Sequence, residues 1–220
     1  MKKKRITAAL LALGLSTVTI CSQLPVFAAE ETAQATDTAA QPQTADPSVV
    51  TTNGIDGWPQ ASDISSTAAI VMETSTNTVL YSKNADQALY PASAVKVMTC
   101  LVALENSSLD DQVTMTATGV SGVTDGGANI SSQLDEVFTM EQCLYAIMVA
   151  SANDIALQVA EHVGGSVDAF VQTMNTRAQE LGCTNTVFTN PTGLPDENQH
   201  TTAHDMTLIM EAAMANETFR

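Results

Sequence analysis

Apolar and polar positions follow one another in three regimes along the chain. Ile6 to Ile20 is an almost unbroken apolar run behind the basic residues Lys2 to Arg5. Ala29 to about Asn53 is Ala, Thr, Gln, Pro and acids without an aromatic side chain, and from Trp58–Pro59 onward the pattern is that of a folded domain. Within it, Thr67–Glu73 (TAAIVME) and Thr78–Lys83 (TVLYSK) read as strands, and the short polar link Thr74–Asn77 predicts an antiparallel hairpin. After Pro91 the period lengthens. Val95, Met98, Leu101, Val102 and Glu105 run along one helix, with Pro91 suited to its first turn. Thr114–Asp135, rich in Gly, Ser, Thr and Asn, reads as loops. Thr139-Met-Glu-Gln142 has the form of a capping box and opens a second helix, for which Tyr145, Met148 and Val149 are the expected apolar face. A third spans Ser166–Leu181, with Phe170, Met174, Ala178 and Leu181 as one stripe and Gly182 as its stop. Thr202 caps a last helix through Leu208 and Met210. Strands followed by several helices, with no internal repeat, predict a mixed α/β domain with a helical subdomain.

The first regime is shorter than the ~20 residues that span a bilayer. With its basic start, and with Val26 and Ala28 at the −3 and −1 positions, it is expected to be a secretory signal peptide over residues 1–28, cut after Ala28. Cys21 follows Ile20, too bulky for a lipoprotein-type site. Residues 29–57 cannot bury enough apolar surface to order themselves and are expected to be a spacer, leaving 58–220 as the domain. The expected place of work is outside the cytoplasm.

Charge narrows the reading further. Eight Lys and Arg stand against 24 Asp and Glu, a net charge of -16 that excludes a nucleic-acid binder. Half of the cations lie in the leader, so only Lys83, Lys96, Arg177 and Arg220 remain after cleavage. Cys100, Cys143 and Cys183 would also remain. Their odd number and unrelated spacings fit neither a disulfide framework nor a zinc site, and buried free thiols are expected.

The two remaining lysines differ in setting. Lys83 closes a strand among polar neighbours and reads as a surface residue. Lys96 sits in PASAVKVMT among Val95, Val97 and Met98, three residues after Ser93. On a helix those positions share a face, so the amine can reach the hydroxyl. A serine needs a base to become a nucleophile, and a lysine serves once desolvation lowers its pKa. The helix N-terminus adds partial positive charge beside the serine oxygen. A lone S-x-x-K is a weak signal, and the plain alternative is a lysine that snorkels to solvent. A second element adds to it. Ser151-Ala152-Asn153 interrupts the apolar pattern after Ile147–Ala150, either as a simple helix–helix turn or as a hydroxyl and a carboxamide presented into a cleft.

LYPASAVKVMT, SANDIALQVAEHVGGS and MNTRAQELGCTNTVFTNPTGLPDENQHTTAHDM resemble the serine D-Ala-D-Ala carboxypeptidases of peptidase family S11, the low-molecular-mass penicillin-binding proteins. The likeness runs from about Trp58 to Arg220. It implies an α/β, β-lactamase/penicillin-binding-protein-like transpeptidase fold, here truncated to a helical subdomain and an incomplete antiparallel sheet. It implies Ser93 as nucleophile, Lys96 as general base, Ser151 as proton relay to the leaving amine, and Asn153 as a binder of the substrate's peptide chain. The implied substrate is a peptidoglycan stem peptide ending in D-Ala-D-Ala, with β-lactams as inhibitors and with no metal or organic cofactor. Membrane association is expected only through an anchor beyond residue 220.

One family element has no counterpart. Neither Lys83 nor Lys96 begins a Lys-Thr-Gly, and Thr192-Gly193 follows Pro191 in a loop-like NPTGL stretch. The chain is therefore expected to be a fragment, short of one oxyanion-hole donor and of the cation that clamps the substrate carboxylate. Nearly inactive, aggregation-prone material with an unpaired sheet edge is expected. A class A-like β-lactamase would need Glu-x-x-x-Asn after Ser151, but Glu161 and Glu180 are followed at that spacing by Gly165 and Thr184. A metal peptidase would use His200, His204 and Asp205, yet no His-Glu-x-x-His is present and Thr202 stands between the histidines as a cap. His162 reads as a helix-end histidine. A non-catalytic penicillin-binding module remains the other alternative.

Overall fold

The computed structural model describes residues 64–122 and 127–220. The expected leader, the spacer and the onset of order at Trp58 lie outside the described residues. Strands β1 (Ala69–Glu73) and β2 (Thr78–Lys83) form the expected antiparallel hairpin, with Glu73 paired to Thr78 across the turn and a register shift between Val71 and Met72. Glu73 organises that turn by accepting hydrogen bonds from the Ser75 and Thr76 amides at 3.0 Å each.

Helix α1 (Val95–Asn106) is the axis of the domain, with every residue from Val95 to Ala103 buried. Its two sides serve two cores. Val95, Met98, Leu101 and Val102 pack with Phe170, Met174 and Ala178 of α5 (Val167–Glu180), with Phe188, and with Ile209 and Ala213 of α6 (Ala203–Ala215). Cys100 and Ala103 pack with Val113 of β3 (Gln112–Thr114), Cys143 and Ile147 of α3 (Met140–Ala150), and Ile155 and Val159 of α4 (Asn153–Gly164). A helix apolar on all sides belongs at such a centre.

The expected stops and starts are present. Thr139 and Gln142 form the capping box of α3, Ser166 caps α5 by accepting from the Ala169 amide, and Thr202 caps α6 by accepting from the Asp205 amide. Gly182, at φ 87°, ends the stripe of α5.

Two expectations are corrected. The buried face of α3 is Met140, Cys143, Leu144 and Ile147, whereas Tyr145, Met148 and Val149 are 65%, 45% and 82% exposed. The helix carries two apolar stripes, and the one that meets α1 and α4 goes inside. The stretch 114–135 is not all loop. It begins at the end of β3, which pairs with β4 (Val137–Thr139), and it contains α2 (Ala117–Ser121). Helix α2 is capped by Thr116 and lies so close to α4 that a Cβ on Gly119 would come within 2.9 Å of the Asp154 carbonyl oxygen.

Candidate active site

Ser93 sits in a single 3₁₀ turn, Ala92–Ala94, immediately ahead of α1. The chain enters it through a constrained path. The Leu89 and Thr201 backbones bond to each other at 2.8 and 2.9 Å, and the Tyr90 hydroxyl donates to the Gly193 carbonyl at 2.5 Å. Ala92 then takes a left-handed φ of 47°. The turn leaves Ser93 and Ala94 exposed, and the chain is buried from Val95 onward.

Lys96 lies in the first turn of α1 and is 3% exposed. Rather than snorkelling, its Nζ donates to Ser93 Oγ at 3.3 Å and to the Thr192 carbonyl at 2.5 Å. Burial lowers its pKa from 10.5 to about 8. Lys83, the other lysine among the described residues, donates to the Ile64 carbonyl at 2.5 Å.

Ser151 ends α3 in a left-handed conformation, φ 54° and ψ 34°. That break turns the hydroxyl toward the other serine, and Ser151 Oγ donates to Ser93 Oγ at 3.2 Å. Asn153 opens α4 two residues on. It is 4% exposed, its backbone N–H donates to the Ala128 carbonyl at 2.8 Å, and its Oδ1 is buried with no hydrogen-bond partner among the described residues. An orphaned buried acceptor is costly, and in a binding site it stands ready for a donor from outside the chain. Ser93 Oγ is thus bonded to both Lys96 and Ser151, and Asn153 follows Ser151 by two residues.

The residues that hold Lys96 in place escaped the sequence reading. Thr99 Oγ1 donates to the Pro191 carbonyl at 2.7 Å, one turn beyond Lys96's bond to Thr192. Asn190 Oδ1 accepts from the Thr192 amide at 3.2 Å, from the Thr192 hydroxyl at 2.8 Å and from the Gly193 amide at 2.8 Å. Asn190–Gly193 is therefore a preformed carbonyl cradle for the amine. Its Asn-Pro-Thr-Gly composition announces a turn, but nothing local says that the turn faces Lys96.

The competing groups are occupied elsewhere. His200 Nδ1 lies 2.8 Å from the Asn198 carbonyl and His204 Nδ1 lies 3.1 Å from Asp86. Asp205 accepts from the Asn185 amide at 2.9 Å and the Thr186 hydroxyl at 2.7 Å. No group of three His, Cys, Asp or Glu side chains suited to a metal ion occurs among the described residues. Glu161 is bound by the hydroxyls of Thr116 and Thr118 at 2.5 and 2.6 Å and by Gln158 at 2.8 Å. Cys100, Cys143 and Cys183 are free and buried, and burial pushes each thiol up to about 12, which removes them as nucleophiles. No helix among the described residues is long and apolar enough to cross a membrane.

The fold is that of the DD-peptidases among the penicillin-binding proteins. A point mutant of the Streptomyces K15 DD-transpeptidase superposes with a TM-score of 0.70 at 31% identity, covering 73% of this chain and 65% of that one. The D-alanyl-D-alanine carboxypeptidase of Mycobacterium tuberculosis gives 0.69 at 31% identity over 74% and 61% of the two chains. Within that class the chain belongs to the peptidase S11 family, D-alanyl-D-alanine carboxypeptidase, whose pattern it matches over residues 56–219. It is 36% identical over 155 residues to D-alanyl-D-alanine carboxypeptidase DacF of Bacillus subtilis, covering 68% of this chain. The chain spans 39% of the length of that relative, and 37% of a carboxypeptidase DacA of Haemophilus influenzae to which it is 34% identical over 145 residues, 64% of this chain.

Proposed function

We propose that this chain carries the acylating site of a serine-type D-Ala-D-Ala carboxypeptidase that removes the terminal D-alanine from peptidoglycan stem peptides and is itself acylated by β-lactams. The observation that carries the reading is the position of Ser93 Oγ between the Lys96 amine at 3.3 Å and the Ser151 hydroxyl at 3.2 Å, with the amine lowered to about 8 by burial. In its neutral form Lys96 takes the proton of Ser93 as the oxygen attacks the carbonyl carbon of the penultimate D-alanine. The bond to the leaving nitrogen then breaks as Ser151 gives its proton to that nitrogen and is reprotonated by the Lys96 ammonium, which leaves Ser93 as an ester and the amine neutral again. Water attacks the ester as Lys96 takes its proton, and that proton passes to Ser93 Oγ as the ester bond breaks, restoring the starting state. The buried Asn153 Oδ1, unpartnered among the described residues, offers an acceptor to an N–H of the substrate backbone. Secretion by the residue 1–28 leader places the domain in the cell envelope, where such a substrate occurs.

The test is covalent labelling. Incubation with fluorescent penicillin should give one adduct, mapped to Ser93 by peptide mass, and Ser93→Ala should abolish it. Equal labelling of the two proteins removes Ser93 from the role of nucleophile. The adduct is a better readout than D-alanine release because the 220 residues include no Lys-Thr-Gly to contribute the further donor and cation of the family pattern. A second reading, a penicillin-binding module without turnover, predicts an adduct but no D-alanine release.

A further inference from the structure

The reacting groups are not the end of the polar construction around Ser151–Asn153. The next residue, Asp154, is 3% exposed, and among the described residues no cation pairs with its carboxylate. It is satisfied by donors alone: the Ser132 hydroxyl at 2.8 Å, the Ser132 amide at 3.1 Å, the Ile130 amide at 3.3 Å, and its own neighbour's amide, Ile155, at 3.0 Å. An acid in a first helical turn ordinarily serves its own helix, exposed to water and facing its own amides. Here three of the four donors come from a segment more than twenty residues earlier. That segment has no ladder of its own to fix it. Ser131 is left-handed at φ 59°, and its amide is held by Asn129 Oδ1 at 3.0 Å. It meets the candidate site where the Ala128 carbonyl accepts the Asn153 amide at 2.8 Å.

The same face of α4 holds the preceding stretch as well. Gln158 and Glu161 stand four and seven residues after Asp154, one stripe of a helix. Gln158 Oε1 accepts the Thr116 amide at 2.8 Å, and Glu161 accepts the Thr116 and Thr118 hydroxyls. Of the three, only Asp154 adjoins the turn that presents Ser151 and Asn153.

We propose that Asp154 is a positioning residue for acylation of Ser93: its carboxylate fixes residues 130–132, and through Ala128 that segment fixes the turn that aims Ser151 and Asn153. Asp154 touches no reacting atom. The inference rests on the acyl-transfer reading above and adds a residue to it.

Asp154→Asn tests it, because the amide keeps the shape but puts an NH₂ against amide donors. Hydrogen exchange at the Ile130, Ser132 and Asn153 amides should become at least tenfold faster. The limiting rate of Ser93 acylation by fluorescent penicillin, per folded molecule, should fall at least tenfold, while the half-saturating concentration changes less than twofold. Ser132→Ala, which removes one donor only, should move both readouts the same way by less and guards against a variant that fails to fold. Glu161→Gln should loosen the 116–118 amides and leave acylation within twofold. Unchanged exchange at the three amides, or acylation within twofold of wild type once they exchange faster, would overturn the proposal. A wild-type chain that penicillin does not label at Ser93 would instead sink the acyl-transfer reading, and the positioning role with it, whatever the amides do.

Discussion

The amine of Lys96 is bonded at 2.5 Å to the carbonyl of Thr192, a residue 96 positions away in the chain. A carbonyl accepts only, so this bond orients the amine whether or not it is charged and leaves its remaining valences for Ser93. The ammonium form gains no negative partner there, and burial moves the titration down to about 8. The base must be neutral to act. Acylation by a β-lactam should therefore rise with pH, reach half its maximum at about 8 and level off above it. Lys96→Arg, which stays protonated, should lose ~10²–10⁴-fold and show no such limb. Stopped-flow labelling between pH 6 and 10, a window set by the ordinary and lowered lysine values, decides it. A flat profile, or a midpoint near the ordinary 10.5, would show that Lys96 is not the titrating base.

The same depression has a signature in stability. A lysine that holds its proton less tightly when folded opposes folding fully below the folded pKa, and the opposition fades as pH rises toward the unfolded value. For Lys96 that window runs from about 8 to 10.5. Stability of the wild type relative to Lys96→Met should thus be constant below it and should climb through it in favour of the wild type. Urea denaturation of both proteins at pH 7, below the window, and at pH 10, near its upper end, measures the difference, and other titrating groups cancel in the comparison. An unchanged or falling difference would contradict the lowered pKa.

Gly193 has no room for a side chain. Its φ is +81°, and an added Cβ would lie 2.0 Å from the Ala92 carbonyl oxygen and 2.9 Å from the Ser93 nitrogen. Both contacts are backbone of the nucleophile's own turn, so Gly193→Ala must move either that turn or the Thr192 carbonyl. The expected cost is about 1–3 kcal/mol, a fall in Tm of about 2–4 °C for each kcal/mol in a domain of this size. Acylation of the molecules that remain folded should fall by ~10-fold or more, since small misplacements of reacting groups are expensive. Calorimetry paired with labelling checks both, and a variant that acylates normally would show that the approach of the two loops is not functional.

What could be read from the sequence was what is local. Ser93 and Lys96 lie within one helical turn, the Ser151–Asn153 break interrupts one helix pattern, and the caps at Thr139, Ser166 and Thr202 are matters of three or four residues. The cradle for Lys96 could not be read that way, because Asn190 and Thr192 become its neighbours only when the chain folds back. The buried face of α3 was misread for a related reason. Tyr145, Met148 and Val149 are as apolar as the stripe that packs, and only the positions of α1 and α4 choose between them. Helix α2 is too short to show a period and is held by Gln158 and Glu161 of α4 through their bonds to Thr116 and Thr118, so its existence depends on a partner forty residues on.

Ser151 separates chemistry from strain. Its left-handed φ of 54° is unfavourable for any residue with a Cβ, by ~1–2 kcal/mol. Its hydroxyl lies 3.2 Å from Ser93 Oγ. Ser151→Ala keeps the strain and removes the hydroxyl, whereas Ser151→Gly removes both. The two variants should acylate equally slowly, by ~10²-fold or more below wild type, because both lack the proton relay. They should differ in stability, with Ser151→Gly about 1 kcal/mol more stable than Ser151→Ala through relief at the left-handed position. Labelling rates and urea midpoints on the same preparations give both answers. If the glycine variant acylated like wild type while the alanine variant did not, the conformation of this turn, not its hydroxyl, would be what Ser93 requires.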